Sequence, residues 1–321
     1  MVENLVIIGS GPAGFTAGIY AGRAQLSPLL ITGSALGGQM ALTSGIENYP
    51  GFPEAITGQE LTQLMQKQAE RFGTRVEIDE VTGVDFSVHP FKVQTYAQEY
   101  EAKAVIVATG ASPRKLGVPG EEEFSGRGVS YCATCDGFFY QNRTVIVVGG
   151  GDSAVEEAIF LTKYASKVYL VHRRNRLRAE EIFQERAFRN EKIELVWDSV
   201  LTEIVGEEGV AQARIKNVKT GEESFLKADG IFIYIGNVPN TQFLDGQVDL
   251  NGRGYIVTDR KCHTSVPGVF AAGDVQEWNL QQIATAIGAG AMAAMEADKF
   301  IAELEGTPYP ERMAAVPIGS G

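Results

Sequence analysis

Two glycine-rich motifs, each between an apolar run and a predicted helix, constrain the fold of this chain most. Leu5-Val6-Ile7-Ile8 is continuously apolar, which is typical of a strand buried on both faces of a parallel sheet. Gly9-Ser10-Gly11-Pro12-Ala13-Gly14 follows directly, and residues 15–23 are rich in the small residues of a packed helix. In this strand-turn-helix context, a G-x-G-x-x-G motif brings a dinucleotide pyrophosphate to a helix N-terminus. The sequence therefore predicts a dinucleotide site at its first turn.

The same arrangement recurs in the middle of the chain. The apolar run of residues 144–148 leads into Gly149-Gly150-Gly151-Asp152-Ser153-Ala154, and a helix is predicted over 155–164. The next predicted strand, 167–171, ends in His172-Arg173-Arg174, with Arg178 four residues on. Guanidinium groups bind phosphate oxygens in pairs, so this cluster favours the 2′-phosphate of NADP over the ribose hydroxyl of NAD. His172 is interpreted as a residue that either lies at the edge of the phosphate site or packs against its neighbours.

A pair of cysteines lies between the two glycine motifs, in Cys132-Ala133-Thr134-Cys135-Asp136. Two cysteines separated by two residues can close a small disulfide that opens easily, and Asp136 could move protons during the opening. A dithiol with a nucleotide site on either side suggests an electron relay. Cys262 has no partner nearby in sequence and is interpreted as a structural or bystander thiol.

Other candidate binding residues lie in loops and at the ends of buried strands. A buried strand is predicted to stop at Ala108-Thr109-Gly110, and another to run over 268–274 and end in Asp274. The Asp274 carboxylate could hold a ribityl hydroxyl of a flavin, beside a predicted helix over about 282–303 whose N-terminus suits anionic charge. Gln39 and Asn48 could bind a planar heterocycle, although ordinary turn chemistry explains them equally well.

Composition excludes several classes of function. With 321 residues the chain has room for two cores, and a net charge of −12 argues against nucleic-acid binding. No apolar run approaches the ~20 residues of a membrane span, and the first residues run into a strand pattern without a leader, so a cytosolic protein is predicted. Three cysteines make a poor disulfide framework, and three histidines supply few ligands for a metal site.

The chain resembles the low-molecular-weight thioredoxin reductases over essentially its full length. The resemblance rests on the two glycine motifs, the Cys132–Asp136 motif, the arginine group and several further segments: Gly37-Gly38-Gln39, Glu47-Asn48-Tyr49-Pro50-Gly51, Ala108-Thr109-Gly110 and Gly268 to Asp274. It implies an α/β fold of two Rossmann-like (FAD/NAD(P)-binding) three-layer domains, the second inserted into the first. The FAD-binding domain would comprise residues 1–114 and 244–321, and the NADPH-binding domain with the dithiol residues 115–243. A homodimer and thioredoxin as protein substrate are implied as well.

The resemblance also implies a role for individual residues. The catalytic residues would be Cys132, Cys135 and Asp136. FAD would be held by Gly9, Ser10, Gly11, Pro12, Ala13, Gly14, Gly38, Gln39, Asn48, Val81, Ala108, Thr109, Gly110, Gly273, Asp274, Gln282 and Ile283. NADPH would be held by Gly149, Gly151, Asp152, Ser153, Ala154, His172, Arg173, Arg174 and Arg178. Electrons would pass from NADPH to FAD, to the Cys132–Cys135 disulfide and on to thioredoxin.

One segment departs from the family pattern and leaves an alternative open. The family usually has Tyr-Arg-Gln-Ala before the last helix, where this chain has Leu280-Gln281-Gln282-Ile283. Relatives of the same fold draw electrons from ferredoxin, so a flavin disulfide reductase with another donor or another disulfide acceptor is the second hypothesis. A zinc-binding or nucleotide-binding module is the third, and it lacks a second pair of ligands.

Overall fold

The structure is a computed structural model, and it describes residues 2–42, 46, 48–278 and 280–307, with only the backbone of Cys135. The predicted contribution of Glu47 and almost all of the predicted tail, 307–321, therefore lie outside the described residues. The chain forms two compact units, residues 1–112 with 238–321 and residues 113–237. The sequence had placed the two boundaries after residues 114 and 243.

The first unit begins with the strand and helix that the first glycine motif predicted. Its elements up to the crossing are β1 (Val2–Ile8), α1 (Pro12–Arg23), β2 (Leu29–Ile31), α2 (Gly38–Ala41), α3 (Gly58–Arg71), β3 (Arg75–Glu77), β4 (Val81–Asp85), β5 (Phe91–Thr95), β6 (Glu99–Val107) and β7 (Ala111–Pro113).

The second unit carries the dithiol and the second glycine motif. Its elements are β8 (Val129–Ser130), α4 (Ala133–Asp136), β9 (Thr144–Gly149), α5 (Asp152–Leu161), β10 (Lys167–Val171), α6 (Glu181–Phe188), β11 (Ile193–Val196), β12 (Ser199–Gly206), β13 (Val210–Asn217), β14 (Glu223–Lys227) and β15 (Gly230–Tyr234). The strand β16 (Asn237–Pro239) lies where the chain returns to the first unit. Short 3₁₀ helices cover Gly137–Tyr140 and, after the return, Gln242–Leu244. The chain then completes the first unit with β17 (Val269–Ala271) and α7 (Ile283–Leu304).

The sheet of the first unit has seven strands. They lie in the order β3-β2-β1-β6-β5-β4, and β17 also pairs with β6. All contacts of β1, β2, β3 and β17 are parallel, whereas β4, β5 and β6 form an antiparallel meander. Alternate residues of β1 enter different cores: Leu5 and Ile7 pack under the helices, and Val6 and Ile8 pack on the opposite face. The strand is buried on both faces, as its unbroken apolar run predicted.

The second unit repeats this plan with a fully parallel sheet in the order β11-β10-β9-β15-β8. Along β9, Val145 and Val147 face the helix-side core, while Ile146 and Val148 face a second core covered by the antiparallel sheet β12-β13-β14. Parallel sheets covered on both faces, with one unit inserted into the other, confirm the predicted fold class.

Two predicted boundaries were wrong. The helix predicted over 155–164 is α5, which starts at Asp152 because Gly151 already serves as its N-cap. The strand predicted to reach Asp274 ends at Ala271, and Asp274 lies in the turn that follows. Asp198, with a left-handed φ of 49°, separates β11 from β12, and the chain changes sheets there.

Within the described residues, no helix combines the length and apolar character that crossing a membrane would require.

Candidate active site

The first glycine motif forms a cradle between β1 and α1. A Cβ on Gly14 would overlap the Gly9 carbonyl oxygen, and a Cβ on Gly9 would overlap the Ala108 carbonyl, so glycine is required for this close approach. Gly11 is different: a Cβ there would meet no atom within 4 Å among the described residues. A Cβ on Gly38, opposite, would lie 3.8 Å from the Gly11 Cα. The described residues therefore leave open space beside Gly11, where a ligand's pyrophosphate can lie.

Ser10 holds the loops around this cradle together. Its buried hydroxyl donates to the Thr32 carbonyl oxygen at 2.9 Å and accepts the Gly37 N–H at 3.0 Å. The turn after β2 and the turn before α2 are therefore fixed to the motif by one side chain. Pro12 occupies the first turn of α1, where its missing N–H costs nothing, and Ala13 is buried beneath it.

The C-terminal edge of the same sheet brings two more predicted segments to the cradle. Thr109 Oγ1 donates to the Asn240 carbonyl oxygen at 2.7 Å, and Asn240 Nδ2 donates back to the Thr109 carbonyl at 2.8 Å. Gly110 and Gly273 both have left-handed φ angles, 66° and 80°. A Cβ on Gly273 would lie 2.9 Å from Ala13 Cβ, which places the turn after β17 directly against the glycine motif.

Asp274 is the charged group of this edge. Its Oδ1 is buried and has no hydrogen-bond partner among the described residues, and burial raises the pKa of the carboxyl to about 6. A buried acceptor without a donor is unfavourable by itself and fits a ligand hydroxyl that would supply one.

The N-terminus of α7 meets the loop that contains Asn48. Asn48 Nδ2 donates to Gln282 Oε1 at 3.1 Å, so two residues 234 positions apart that the sequence assigned to one cofactor lie side by side. Ile283 opens the helix behind Gln282, and Gln39 lies on α2 beside Gly38. Val81 is buried at the start of β4, in the antiparallel part of the sheet.

The second glycine motif is packed as tightly as the first. A Cβ on Gly149 would overlap the Tyr234 carbonyl oxygen, and a Cβ on Gly150 would overlap the His172 ring. His172 is buried, and burial lowers its pKa, so its ring supports the motif as a neutral group. Its Nε2 has no partner among the described residues.

The arginines of this unit surround the motif. The Arg178 N–H donates to the Gly150 carbonyl oxygen at 2.6 Å, and a Cβ on Gly151 would lie 4.0 Å from Arg178 Nη2. Arg173, Arg174 and Arg178 are exposed, and so is Arg176, which the sequence reasoning missed. The sequence did contain a signal for Arg176, because the Arg173-Arg174 doublet is followed by further arginines in the same turn. Asp152 and Ser153 are exposed at the start of α5, whereas Ala154 is buried against Gly149.

The cysteine motif follows β8 as a tight turn, in which Cys132 is the N-cap of the one-turn helix α4. Cys132 is half-buried and disulfide-bonded, while Cys262 is a free, buried thiol in the other unit. Ser130 Oγ accepts the Cys132 N–H at 3.1 Å, and the Asp136 N–H donates to the Cys132 carbonyl oxygen at 3.1 Å. The side chain of Cys135 lies outside the described residues. Burial raises the pKa of the Cys262 thiol to about 11, so this thiol is unreactive at neutral pH.

The strand before Cys132 is anchored from behind by a buried carboxylate. Tyr131 Oη donates to Glu121 Oε1 at 2.8 Å, and Glu121 also accepts the N–H groups of Leu116 and Gly117, at 2.9 and 2.6 Å. The described residues contain no group of three or more His, Cys, Asp or Glu side chains that could hold a metal ion.

Comparisons with known proteins agree with this arrangement. Residues 3–292 match the family described as pyridine nucleotide-disulphide oxidoreductase. The chain is 51% identical over 306 residues to thioredoxin reductase of Rickettsia conorii, covering 94% of this chain and 99% of the relative. A solved thioredoxin reductase of Streptococcus pyogenes is 46% identical with a TM-score of 0.78, covering 94% and 99% of the two chains. A ferredoxin-flavin thioredoxin reductase of Clostridium acetobutylicum is 32% identical with a TM-score of 0.51, covering 95% and 98%.

The resemblance stated from the motifs is thereby confirmed. The match covers both glycine motifs and the cysteine turn, and relatives of this identity extend over nearly the whole chain. The chain therefore belongs to the pyridine nucleotide-disulphide oxidoreductase family.

Proposed function

We propose that this protein is an NADPH-dependent thioredoxin reductase in which FAD links the nicotinamide to the Cys132–Cys135 disulfide. The observation that carries the proposal is the disulfide-bonded state of Cys132, in a turn of the same unit that holds the second glycine motif. Relatives named thioredoxin reductase, about half identical over nearly their full lengths, support the same function.

The first unit is suited to FAD. The open space beside Gly11 accepts a pyrophosphate, and the buried Asp274 oxygen without a partner accepts a hydroxyl hydrogen bond. Asn48 and Gln282 lie together at the N-terminus of α7 and present amide groups to a flavin ring. The residues present therefore fit the cofactor.

The second unit is suited to NADPH. Gly151 caps α5, whose first N–H groups lack partners within the helix and can bind a pyrophosphate. The exposed Arg173, Arg174 and Arg178 supply positive charge beside it, at the position where a 2′-phosphate is recognised. Because His172 is buried and neutral, the arginines carry this recognition.

The residues of the turn provide the thiol chemistry. Bound FAD and NADPH would supply the two-electron step that side chains lack. Opening of the disulfide breaks the S–S bond, and Asp136 is the carboxyl group that would hand a proton to a departing sulfur. One cysteine thiolate then attacks a sulfur of the oxidised thioredoxin, and the second cysteine resolves the mixed disulfide. This exchange releases reduced thioredoxin and re-forms the disulfide of the turn.

A homodimer and a cytosolic location remain predictions from the family resemblance and the sequence. The second candidate function is reduction by ferredoxin, which is suggested by the 32% identity to the ferredoxin-flavin enzyme of Clostridium acetobutylicum, a lower identity than that to the relatives named thioredoxin reductase. The exposed arginines around Gly151 favour NADPH instead, because ferredoxin has no 2′-phosphate to bind.

The test is electron transfer from each donor in turn. The purified protein, loaded with FAD, is mixed anaerobically with NADPH, with NADH or with reduced ferredoxin, and flavin absorbance and thioredoxin reduction are followed. The proposal predicts rapid bleaching with NADPH and continued turnover of thioredoxin. Bleaching by ferredoxin alone would instead establish the second candidate, and an inability to bind FAD would refute both.

A further inference from the structure

Tyr234 makes a direct contact with the redox-active turn. The phenol oxygen of Tyr234 accepts the N–H of Ala133, the residue that follows Cys132. Ala133 is the first residue of α4, so its N–H has no acceptor within the helix. Ala133 is also fully buried, so water cannot satisfy that N–H. The orientation of the peptide between Cys132 and Ala133 therefore depends on the Tyr234 hydroxyl.

The backbone of Tyr234 is fixed by the nucleotide motif. Tyr234 is the last residue of β15 and pairs in register with Gly149, the first glycine of the motif. The two are so close that a Cβ on Gly149 would overlap the Tyr234 carbonyl oxygen. The hydroxyl thus joins the rigid strand at the nucleotide site to the turn that carries Cys132.

A buried carboxyl group lies close enough to Tyr234 for its charge to act on the phenol. Glu157 Oε2, on α5, is buried and has no hydrogen-bond partner among the described residues. Its charge acts on Tyr234, as does that of Asp136. Burial, with a smaller contribution from Glu156, raises the pKa of Glu157 to about 7, and burial keeps Tyr234 protonated by raising its pKa well above the usual value. Tyr234 therefore retains a proton to donate, and Glu157 has a free oxygen that can accept one.

We propose that Tyr234 and Glu157 are positioning residues for the dithiol: Tyr234 holds the peptide after Cys132, and Glu157 accepts the Tyr234 hydrogen bond in the reduced protein. This inference rests on the proposed function and names two residues beyond Cys132, Cys135 and Asp136. When the disulfide opens, the covalent ring no longer holds the turn, and the Tyr234 contact keeps the two thiols near each other. A dithiol held in place re-closes more readily, that is, it has a higher effective concentration.

The two residues affect this equilibrium in different ways. Loss of the Tyr234 hydroxyl loosens the reduced turn at every pH. Glu157 adds negative charge near the turn only when it is ionised, and this opposes formation of a thiolate. The titratable groups that face the pair are Glu156 on α5 and Asp136 on α4, and both remain in the variants below.

The experiment measures the thiol–disulfide equilibrium of the full-length flavoprotein. Wild type, Y234F and E157Q are equilibrated in mixtures of reduced and oxidised dithiothreitol from about pH 6 to about pH 8. The samples are then acid-quenched and alkylated while unfolded, and the number of labelled thiols is read from the intact mass of the protein. Cys262 adds one constant label. Y169F and E185Q are the matched controls, because Tyr169 on β10 contacts Lys167 and Glu185 on α6 pairs with Arg189, all in the same unit.

Y234F is expected to lower the effective concentration about two- to tenfold at all pH values, the range given by one lost hydrogen bond. E157Q is expected to match wild type near pH 6 and to favour the reduced form near pH 8. The controls are expected to match wild type throughout. An unchanged equilibrium in Y234F, or an E157Q curve parallel to wild type at every pH, overturns the inference.

The same data separate this inference from the proposed function. A wild-type protein that forms no disulfide in oxidising buffer overturns both. A wild-type protein that cycles in buffer but does not reduce thioredoxin with NADPH refutes the function, while the Y234F and E157Q shifts would still support the positioning pair. If Y234F does not fold, the pH dependence of E157Q decides the question alone.

Discussion

Replacement of Asp274 by Asn is expected to stabilise the cofactor-free protein and, at the same time, to weaken its binding of FAD. In the structure the Asp274 carboxyl is buried without a hydrogen-bond partner for Oδ1, and its pKa rises from 3.8 to about 6. The folded protein therefore holds this proton up to about pH 6, whereas the unfolded chain releases it near pH 4. Between these values the unfolded state binds fewer protons, so stability falls as the pH rises.

The magnitude follows from the shift of about two pKa units. At about 1.4 kcal/mol per unit, ionised Asp274 costs the cofactor-free protein about 3 kcal/mol above pH 7 and about 1 kcal/mol at pH 4.5. D274N has no charge to bury, so its advantage over wild type is expected to grow by about 2 kcal/mol across that range. FAD binding is expected to weaken about tenfold to a hundredfold, the value of a hydrogen bond to a charged group.

Urea unfolding of the cofactor-free proteins at about pH 4.5 and about pH 7.5, together with FAD titration followed by flavin fluorescence, measures both effects. D249N is the control, because Asp249 is exposed and its carboxyl lies at the surface of the same unit. A D274N protein that is less stable than wild type at pH 7.5, with unchanged FAD affinity, would refute the assignment of Asp274 as a buried ligand group.

Three further predictions concern the other parts of the site. G14A is expected to lose FAD and to unfold at lower temperature, because its Cβ would overlap the Gly9 carbonyl oxygen. Thermal melting with and without FAD measures both effects. A melting temperature equal to that of wild type would contradict the prediction. R178Q is expected to raise the KM for NADPH about tenfold and to leave that for NADH unchanged, since a charged contact to the 2′-phosphate is lost; equal effects on both nucleotides would argue against a phosphate site. C135S is expected to bind FAD normally and to lose thioredoxin reduction; retained turnover would exclude the assigned role.

Local patterns predicted the parts of the fold in which each residue's role depends on its neighbours in sequence. The apolar runs at β1 and β9 are buried on both faces, and the local Thr57–Glu60 capping box marks the start of α3 at Gly58. The glycine motifs were recognisable because a tight strand-helix approach excludes every side chain larger than hydrogen.

What the sequence did not predict depends on contacts between distant segments. The change of sheet at Asp198 is set by a left-handed residue that carries no glycine signal, and three strands, β12, β13 and β14, form a separate sheet as a result. The Glu121 anchor behind Tyr131 and the contact of Tyr234 with Ala133 join residues that no motif links. In the sequence, Glu157 is an ordinary polar residue of a predicted helix, and only the structure shows that it is buried. Such groups are found only once the fold brings them together.

The measurement that tests the central claim most directly is a count of thiols after anaerobic addition of NADPH to the oxidised, FAD-loaded protein. Electron flow to the disulfide of the turn predicts two additional alkylated cysteines per chain beside the constant label on Cys262, and none after C135S replacement. Bleaching of the flavin without any gain of thiols would contradict the account, because the electrons would then stop before the Cys132–Cys135 pair.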